Sequence, residues 1–124
     1  METKRQRQTA EIIRRHFSEL LLQEASYLSN GALVTVTSVK MSSDLGLAKI
    51  YLSVYGTEAK HEVLMAFQQE TMRLRQGLAQ RVRRKMRRVP DIDFYLDDTL
   101  DEMYRLNSIF DKLHEDKQMG SEEE

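Results

Sequence analysis

One eight-residue segment, Ala48 to Tyr55, alternates strictly between apolar and more polar residues. Successive side chains of a β-strand point to opposite faces, so this pattern predicts a strand with one buried face. The residues on that face are Ala48, Ile50, Leu52 and Val54. The apolar face of such a strand packs against a second layer, which in this chain must come from its helical segments.

The flanking segments predict two further strands. Leu33 to Lys40 is rich in valine and threonine, which favour strands, and a short loop joins it to the strand at Ala48 to Tyr55. These two strands should therefore pair antiparallel. After Pro90, the alternation of Ile92, Phe94 and Leu96 with polar residues predicts a third strand, which a helical crossover makes parallel to the second.

Three stretches carry apolar residues at helical spacing. The first runs from about Arg7 to Leu28 and ends before Asn30-Gly31, a pair that tolerates positive φ. The second begins near Thr57, in the manner of an N-cap, and continues to about Arg88 with a kink between Glu70 and Ala79. The third runs from about Leu100 to Leu113.

The resulting order is helix, strand, strand, broken helix, strand, helix. Helices on one face of a three-stranded sheet make an α+β fold. We expect one domain over residues 1–114 and an acidic, disordered tail over residues 115–124.

Charge is distributed unevenly along the chain, although the net charge is only −1. Residues 1–90 hold 16 Lys and Arg against 8 Asp and Glu, whereas residues 91–124 hold 3 against 12. A basic body of this kind indicates a polyanionic partner. The sequence has no cysteine, and its first residues resemble neither a signal peptide nor a membrane anchor, so we expect a cytoplasmic protein.

The strongest local signal is the stretch from Arg73 to Arg88, in which eight of sixteen residues are Arg or Lys and none is acidic. On a continuous helix, the face opposite Leu74, Leu78, Val82 and Met86 would be a row of guanidinium groups suited to RNA phosphates. A solvated helix face is the plainer alternative, and a helix on an anionic membrane is another. The candidate RNA-binding residues are Arg73, Arg75, Arg81, Arg83, Arg84, Lys85, Arg87 and Arg88, together with Lys4, Arg5 and Arg7 near the N-terminus.

Other candidate residues have plainer explanations. Arg14 and Arg15 extend the N-terminal basic group. Tyr51 and Tyr55 lie on the outer face of the second strand, where they either stack on bases or cover the sheet under the last helix. We expect His16, His61 and His114 to be surface residues of helices. The acidic group Asp97, Asp98 and Asp101 suits capping with Thr99 better than a metal site, so we expect no catalytic residue, metal or cofactor.

Two separated blocks resemble the ribosome-binding factor A family. The segment from Val39 to Ser53 reads VKMSSDLGLAKIYLS, where the family pattern is V-x-x-S-x-D-L-x-x-A-x-V-Y-V-S. The second block consists of Leu74-Arg75, Leu78-Ala79 and Arg88 to Phe94, followed by the acidic stretch Asp97 to Asp101. The opening, with Lys4-Arg5 and then Ile12, also resembles the family's start. The resemblance covers about residues 4–113.

This resemblance implies a type II KH domain, of order αββααβ, with a C-terminal helix. It also implies a monomeric factor, active without catalysis and associated with growth in the cold. Such a factor binds free immature 30S subunits near the 5′ end of 16S rRNA and assists late maturation and 5′-end processing. The chain departs from the family at Glu70-Thr71-Met72, where many members have Ala-x-Gly, and in a longer segment between Ala79 and Pro90.

Three other functions remain open from the sequence. The chain could be a KH-like domain for another structured RNA. It could also be a protein interaction module whose basic helix meets an acidic partner. A metal-dependent nuclease using Asp97 and Asp101 is the third alternative. Steep salt dependence with rRNA favours an RNA-binding role, and cleavage that needs a divalent cation favours the nuclease.

Overall fold

The computed structural model describes residues 2–97, which form a three-stranded sheet with helices against one face. The elements in chain order are α1 (Lys4–Gln23), β1 (Leu33–Met41), β2 (Leu47–Tyr55), α2 (Lys60–Gln69), α3 (Thr71–Val82) and β3 (Asp91–Leu96). The α+β prediction and the order αββααβ are confirmed. The predicted last helix (100–113), its Asp98–Thr99 cap, Asp101, His114 and the tail (115–124) lie outside the described residues.

The first helix begins three residues earlier than predicted because Thr3 forms a capping box. The Thr3 hydroxyl accepts a hydrogen bond from the Gln6 amide (3.1 Å), and the Gln6 side chain accepts one from the Thr3 amide (2.7 Å). The helix ends at Gln23, and a 3-10 turn at Ser26–Ser29 completes the segment that was predicted as helix. The predicted break at Asn30-Gly31 is confirmed, since both residues have positive φ.

The sheet has the order β1-β2-β3, with β1 antiparallel and β3 parallel to β2, as predicted. The register between β1 and β2 shifts at a bulge between Val36 and Ser38. The inner face of β2 carries Ala48, Ile50, Leu52 and Val54, all at most 1% exposed. The alternation therefore predicted the strand and its buried face correctly.

Three phenylalanines tie the helices to the inner face of the sheet. The Phe94 ring on β3 lies 5.5 Å from the Phe17 ring on α1 and 5.7 Å from the Phe67 ring on α2, measured between centroids. All three side chains are almost fully buried. Such tilted ring pairs stabilise a core beyond the area that they bury.

The second helical region is broken at Glu70, which confirms the predicted kink. Glu70 ends α2 and precedes α3 with φ −99° and ψ 16°, and its amide still bonds to the Ala66 carbonyl oxygen. The predicted start at Thr57 is too early. Its hydroxyl accepts a hydrogen bond from the Ala59 amide (3.1 Å), and the helix begins at Lys60.

The prediction that this helical region continues to about Arg88 is wrong, because α3 ends at Val82. One further turn follows, in which the amides of Lys85 (2.8 Å) and Met86 (3.0 Å) both bond to the Val82 carbonyl oxygen. This turn keeps Met86 against the core, which explains its helical spacing from Val82. The cations from Arg83 to Arg88 are therefore not a stripe on a helix face.

Helices α1 and α3 run antiparallel and pack closely. Tyr27, just beyond α1, meets Arg73 near the start of α3, whereas Glu19 meets Arg81 near its end. Gly77 permits this approach, since a Cβ at that position would lie 2.8 Å from Leu20 Cδ1. The packing places the first turns of α1 beside the segment that follows α3. No helix among residues 2–97 is long and apolar enough to cross a membrane.

Candidate nucleic-acid interface

An open groove of about 520 Å³ lies where three segments of the chain meet. The segments are the first half of α1, the loop between β1 and β2, and the residues that follow α3. The lining residues are Arg5, Gln8, Thr9, Ile12, Asp44, Leu45, Lys85, Met86, Arg87 and Arg88. Four of them are cations and one is a carboxylate, so we call it the basic groove.

The cations of the basic groove are exposed and come from distant parts of the chain. Arg5 lies in the first turn of α1, which the Thr3 cap and a hydrogen bond from the Gln6 side chain to the Met41 carbonyl oxygen (3.1 Å) hold in place. Lys85, Arg87 and Arg88 follow α3. The fold therefore brings part of the N-terminal basic group against part of the predicted Arg73–Arg88 cluster.

Hydrogen bonds to the side chains of Ser42 and Asp44 hold the loop between β1 and β2 in place. Asp44 Oδ1 accepts bonds from the Ser42 hydroxyl (2.7 Å) and the Gly46 amide (2.9 Å). The Ser42 hydroxyl in turn accepts one from the Leu47 amide (2.9 Å). The bond from Ser42 is the main reason that the pKa of Asp44 lies below its ordinary value, and the Gly46 amide and the nearby Arg88 lower it further.

Two of the predicted RNA-binding arginines bond other parts of the fold. Arg75 donates hydrogen bonds to the carbonyl oxygens of Val89 (2.9 Å) and Pro90 (3.1 Å). Arg81 donates one to the Gln23 side chain (2.8 Å) and pairs with the carboxylates of Glu19 and Glu24, and its side chain is only 20% exposed. Arg81 therefore does not belong to a free row of guanidinium groups on the outer face of α3.

The remaining predicted cations are not among the residues that line the basic groove. Arg73 donates a hydrogen bond to the Tyr27 hydroxyl (2.6 Å) and lies over its ring, at the opposite end of α3. Arg7 lines a second groove beside β1 with Arg14, which is bonded to Glu11. Lys4, Arg15, Arg83 and Arg84 are exposed.

The outer face of the sheet carries an aromatic pair flanked by lysines. The rings of Tyr51 and Tyr95 stack with centroids 5.4 Å apart, while Lys40 Nζ and Lys49 Nζ lie 5.6 Å and 6.0 Å from the respective rings. The Tyr95 hydroxyl donates to Asp93 (2.8 Å), which raises the pKa of Tyr95. Tyr55 is half-exposed on this face, and the two uses proposed for Tyr51 and Tyr55 stay predictions.

Two of the three histidines and one of the three grouped aspartates lie within residues 2–97. His61 is exposed as predicted, but the His16 side chain is only 15% exposed and faces Glu19 at 3.9 Å. Asp97 accepts a hydrogen bond from the Thr37 hydroxyl (2.6 Å). Among residues 2–97, no three His, Cys, Asp or Glu side chains lie together as a metal site would require.

Sequence reasoning missed much of the lining of the basic groove. Gln8, Thr9, Asp44 and Leu45 were not candidates, and Ile12 and Met86 were assigned to the core alone. The only signal was the SSDLG loop, which formed part of a family pattern. Its residues are polar and small enough to be read as an ordinary connection between strands.

The family, the relatives and the solved structure that this chain is similar to all carry the same name. The family described as ribosome-binding factor A matches residues 5–110. A protein of that name from Cytophaga hutchinsonii is 34% identical over 113 residues, which cover 91% of this chain and 85% of that protein. One from Chlorobaculum parvum is 35% identical over 106 residues, covering 85% and 87% respectively. The crystal structure of ribosome-binding factor A from Thermus thermophilus is 27% identical, with a TM-score of 0.58, covering 73% of this chain and 94% of that one.

Proposed function

The chain belongs to the ribosome-binding factor A family, and on that premise we propose that it binds free, immature 30S ribosomal subunits in the cytoplasm. It assists late maturation of the subunit and processing of the 5′ end of 16S rRNA, and it does so by binding rather than by catalysis. The binding unit is a monomeric KH-like domain over residues 1–114.

The observation that carries this proposal is the convergence of Arg5, Lys85, Arg87 and Arg88 on one groove. Arg5 is distant in sequence from the other three cations, and the described residues that line the groove include only one carboxylate, Asp44. Gathering four like charges on one surface is therefore unfavourable unless a further anion compensates them. Guanidinium groups bond phosphate oxygens in pairs, which suits an RNA backbone. The basic groove is therefore the proposed primary contact with rRNA.

The proposal assigns a smaller role to the other predicted cations. Arg75 and Arg81 already have partners within the protein, so they contribute to RNA binding through the shape of the fold. Lys4, Arg83 and Arg84 lie near the basic groove in sequence and add positive potential around it. Arg7 and Arg73 face other surfaces, so we assign them no direct phosphate contact.

Sedimentation tests the choice of partner. The protein is mixed with separated 30S subunits, separated 50S subunits or intact ribosomes at graded salt, and bound protein is measured in each pellet. We expect binding to the free 30S subunit alone, with affinity that falls steeply as salt increases. Equal binding to all three particles would indicate a nonspecific polycation, and binding to none would reject the proposal.

The alternatives are tested by the same measurements. A KH-like domain for another RNA would leave the 30S pellet empty while still binding structured RNA with steep salt dependence. A protein interaction module would bind its acidic partner through a basic helix. The cations from Arg83 to Arg88 follow the end of α3, so the structure does not favour this alternative. Addition of a divalent cation to the 30S mixture would reveal a nuclease through shortened 16S rRNA.

A further inference from the structure

The floor of the basic groove is apolar, which phosphate binding alone does not require. Ile12, Leu45 and Met86 line the groove and pack, half-buried, against the core beneath it. Four cations and one carboxylate, Asp44, line the groove around this floor. The groove thus combines a mainly cationic rim for anions with a surface for an uncharged, flat group. Nucleotides have this combination of charge and apolar surface.

Leu45 is held in a conformation that is unfavourable for a residue with a side chain. Its φ is +60°, in the left-handed region. The Leu45 amide bonds to the Ser42 carbonyl oxygen (3.0 Å), and the bonds from Ser42 and Gly46 to Asp44 close the loop around it. The Gly46 carbonyl oxygen in turn accepts a bond from the Asp91 amide (2.9 Å). The loop thus fixes Leu45 at the groove despite the local strain.

We propose that the basic groove takes one unpaired nucleobase of the bound RNA, with its flanking phosphates on the cationic rim. This inference rests on the proposed function and names the part of the RNA that the groove recognises. The base lies on Ile12, Leu45 and Met86, and the phosphates bond Arg5, Lys85 and Arg87. A volume of about 520 Å³ is sufficient for one nucleotide, since pockets for small ligands start at about 300 Å³.

Recognition of a single unpaired base differs from recognition of an RNA double helix. Double-helical RNA presents phosphates and 2′-hydroxyls but keeps its bases stacked, whereas loops, bulges and ends can place a single base on a protein surface. A groove that binds phosphates only would not distinguish a strand with bases from one without them. The groove inferred here prefers the strand with bases.

The direct test uses the unaltered full-length protein and two labelled decamers. One is a decamer of cytidine, and the other is a ribose-phosphate decamer that carries no bases, so the two have the same charge. Fluorescence anisotropy at low salt gives both affinities. We expect the cytidine decamer to bind at least about 5-fold more tightly, which is what burial of roughly 40 Å² of apolar surface contributes. Equal affinities, or binding of neither decamer, would overturn the inference.

Variants locate the preference in the basic groove. Met86→Ser and Leu45→Gly each remove apolar floor without changing charge, and glycine favours the φ that position 45 adopts. Met72→Ser is the matched control, since Met72 is 78% exposed near the start of α3. We expect the two groove variants to reduce the preference for cytidine to within about 2-fold, whereas the control retains it.

Thermal unfolding of each variant accompanies the affinities. If Met86→Ser fails to fold, Leu45→Gly carries the comparison, and the experiment with the unaltered protein needs no variant. Retention of the full preference in folded Leu45→Gly and Met86→Ser would overturn the assignment to this groove.

The 30S sedimentation assay distinguishes failure of this inference from failure of the proposed function. If the unaltered protein does not bind 30S subunits, the proposed function fails whatever the decamers do. If it binds 30S subunits but binds the two decamers equally, only the nucleobase inference fails, and the basic groove holds phosphates alone.

Discussion

The guanidinium Nε of Arg75 donates a hydrogen bond of 3.1 Å to the carbonyl oxygen of Pro90. A second bond from the same group reaches the carbonyl oxygen of Val89 at 2.9 Å, and Nε also lies 3.3 Å from Asp91 Oδ1. Arg75 lies on α3, and the residues it bonds lead directly into β3. Its side chain therefore fixes where the chain enters the third strand, although its position in a basic cluster predicted RNA binding.

We expect Arg75→Gln to lower the free energy of unfolding by about 1 to 2 kcal/mol, because two charge-assisted hydrogen bonds to backbone carbonyls are lost. Urea unfolding measures the change. The matched control is Arg83→Gln, an exposed position after α3, which should change stability by less than about 0.5 kcal/mol. Equal stability of the two variants would show that the Arg75 bonds contribute nothing to the fold.

The register of β2 gives a second stability prediction. Leu52→Ala should destabilise the protein by about 2 to 5 kcal/mol, because Leu52 is fully buried and its loss leaves a cavity. Lys49→Ala should cost under about 1 kcal/mol, since Lys49 is exposed and the loss of its cation–π contact with the Tyr95 ring is a small effect at an exposed site. Thermal or urea unfolding compares the two, and a larger loss at Lys49 than at Leu52 would contradict the register.

The architecture was predictable from the sequence because its signals are local. The alternation of residues placed Ala48, Ile50, Leu52 and Val54 on the inner face of the sheet. Asn30-Gly31 indicated a turn because both residues tolerate positive φ. The end of α3 was not predictable, because Met86 keeps the four-residue spacing from Val82 through a single hydrogen-bonded turn. Periodicity alone does not separate such a turn from continued helix.

The basic groove was predictable only in its charge. The local sequence identified Arg5 and the cluster from Arg73 to Arg88 as candidates. That Arg5 lies beside the end of this cluster depends on the antiparallel packing of α1 and α3. The hydrogen bond from Arg81 to Gln23 and its ion pair with Glu24 depend on the same packing. Both contacts join residues that are more than fifty positions apart in sequence. Partners that distant leave no local pattern, so the arginines that hold the fold could not be distinguished from those that remain free to bind.

The loop network around Asp44 predicts a particular titration. Its carboxyl pKa lies below the ordinary value of 3.8 chiefly because the Ser42 hydroxyl donates to it. A lowered pKa means that the charged form stabilises the folded loop above about pH 4, and that this contribution is lost as the pH falls through the lowered pKa.

NMR titration of the Asp44 carboxyl carbon measures this pKa. We expect a midpoint below 3.8 in the unaltered protein and a midpoint closer to the ordinary value in Ser42→Ala, which lacks the main hydrogen bond. Ser43→Ala, at the adjacent exposed position, is the control and should leave the midpoint unchanged. A midpoint that does not respond to Ser42→Ala would show that the hydroxyl does not hold the carboxylate.

The salt dependence of 30S binding tests the basic groove as the contact with rRNA most directly. The groove variant changes Arg5, Lys85 and Arg87 to Gln. The matched control makes the same change at three exposed cations on other surfaces, which are Lys40, Lys49 and Arg73. If each groove cation neutralises one phosphate, the slope of log affinity against log salt should become shallower by about 2 to 3 units, at roughly 0.7 to 0.9 per contact. The control should keep the slope of the unaltered protein to within about half a unit. An unchanged slope and affinity in the groove variant, or an equal loss in the control, would contradict the assignment of rRNA binding to this groove.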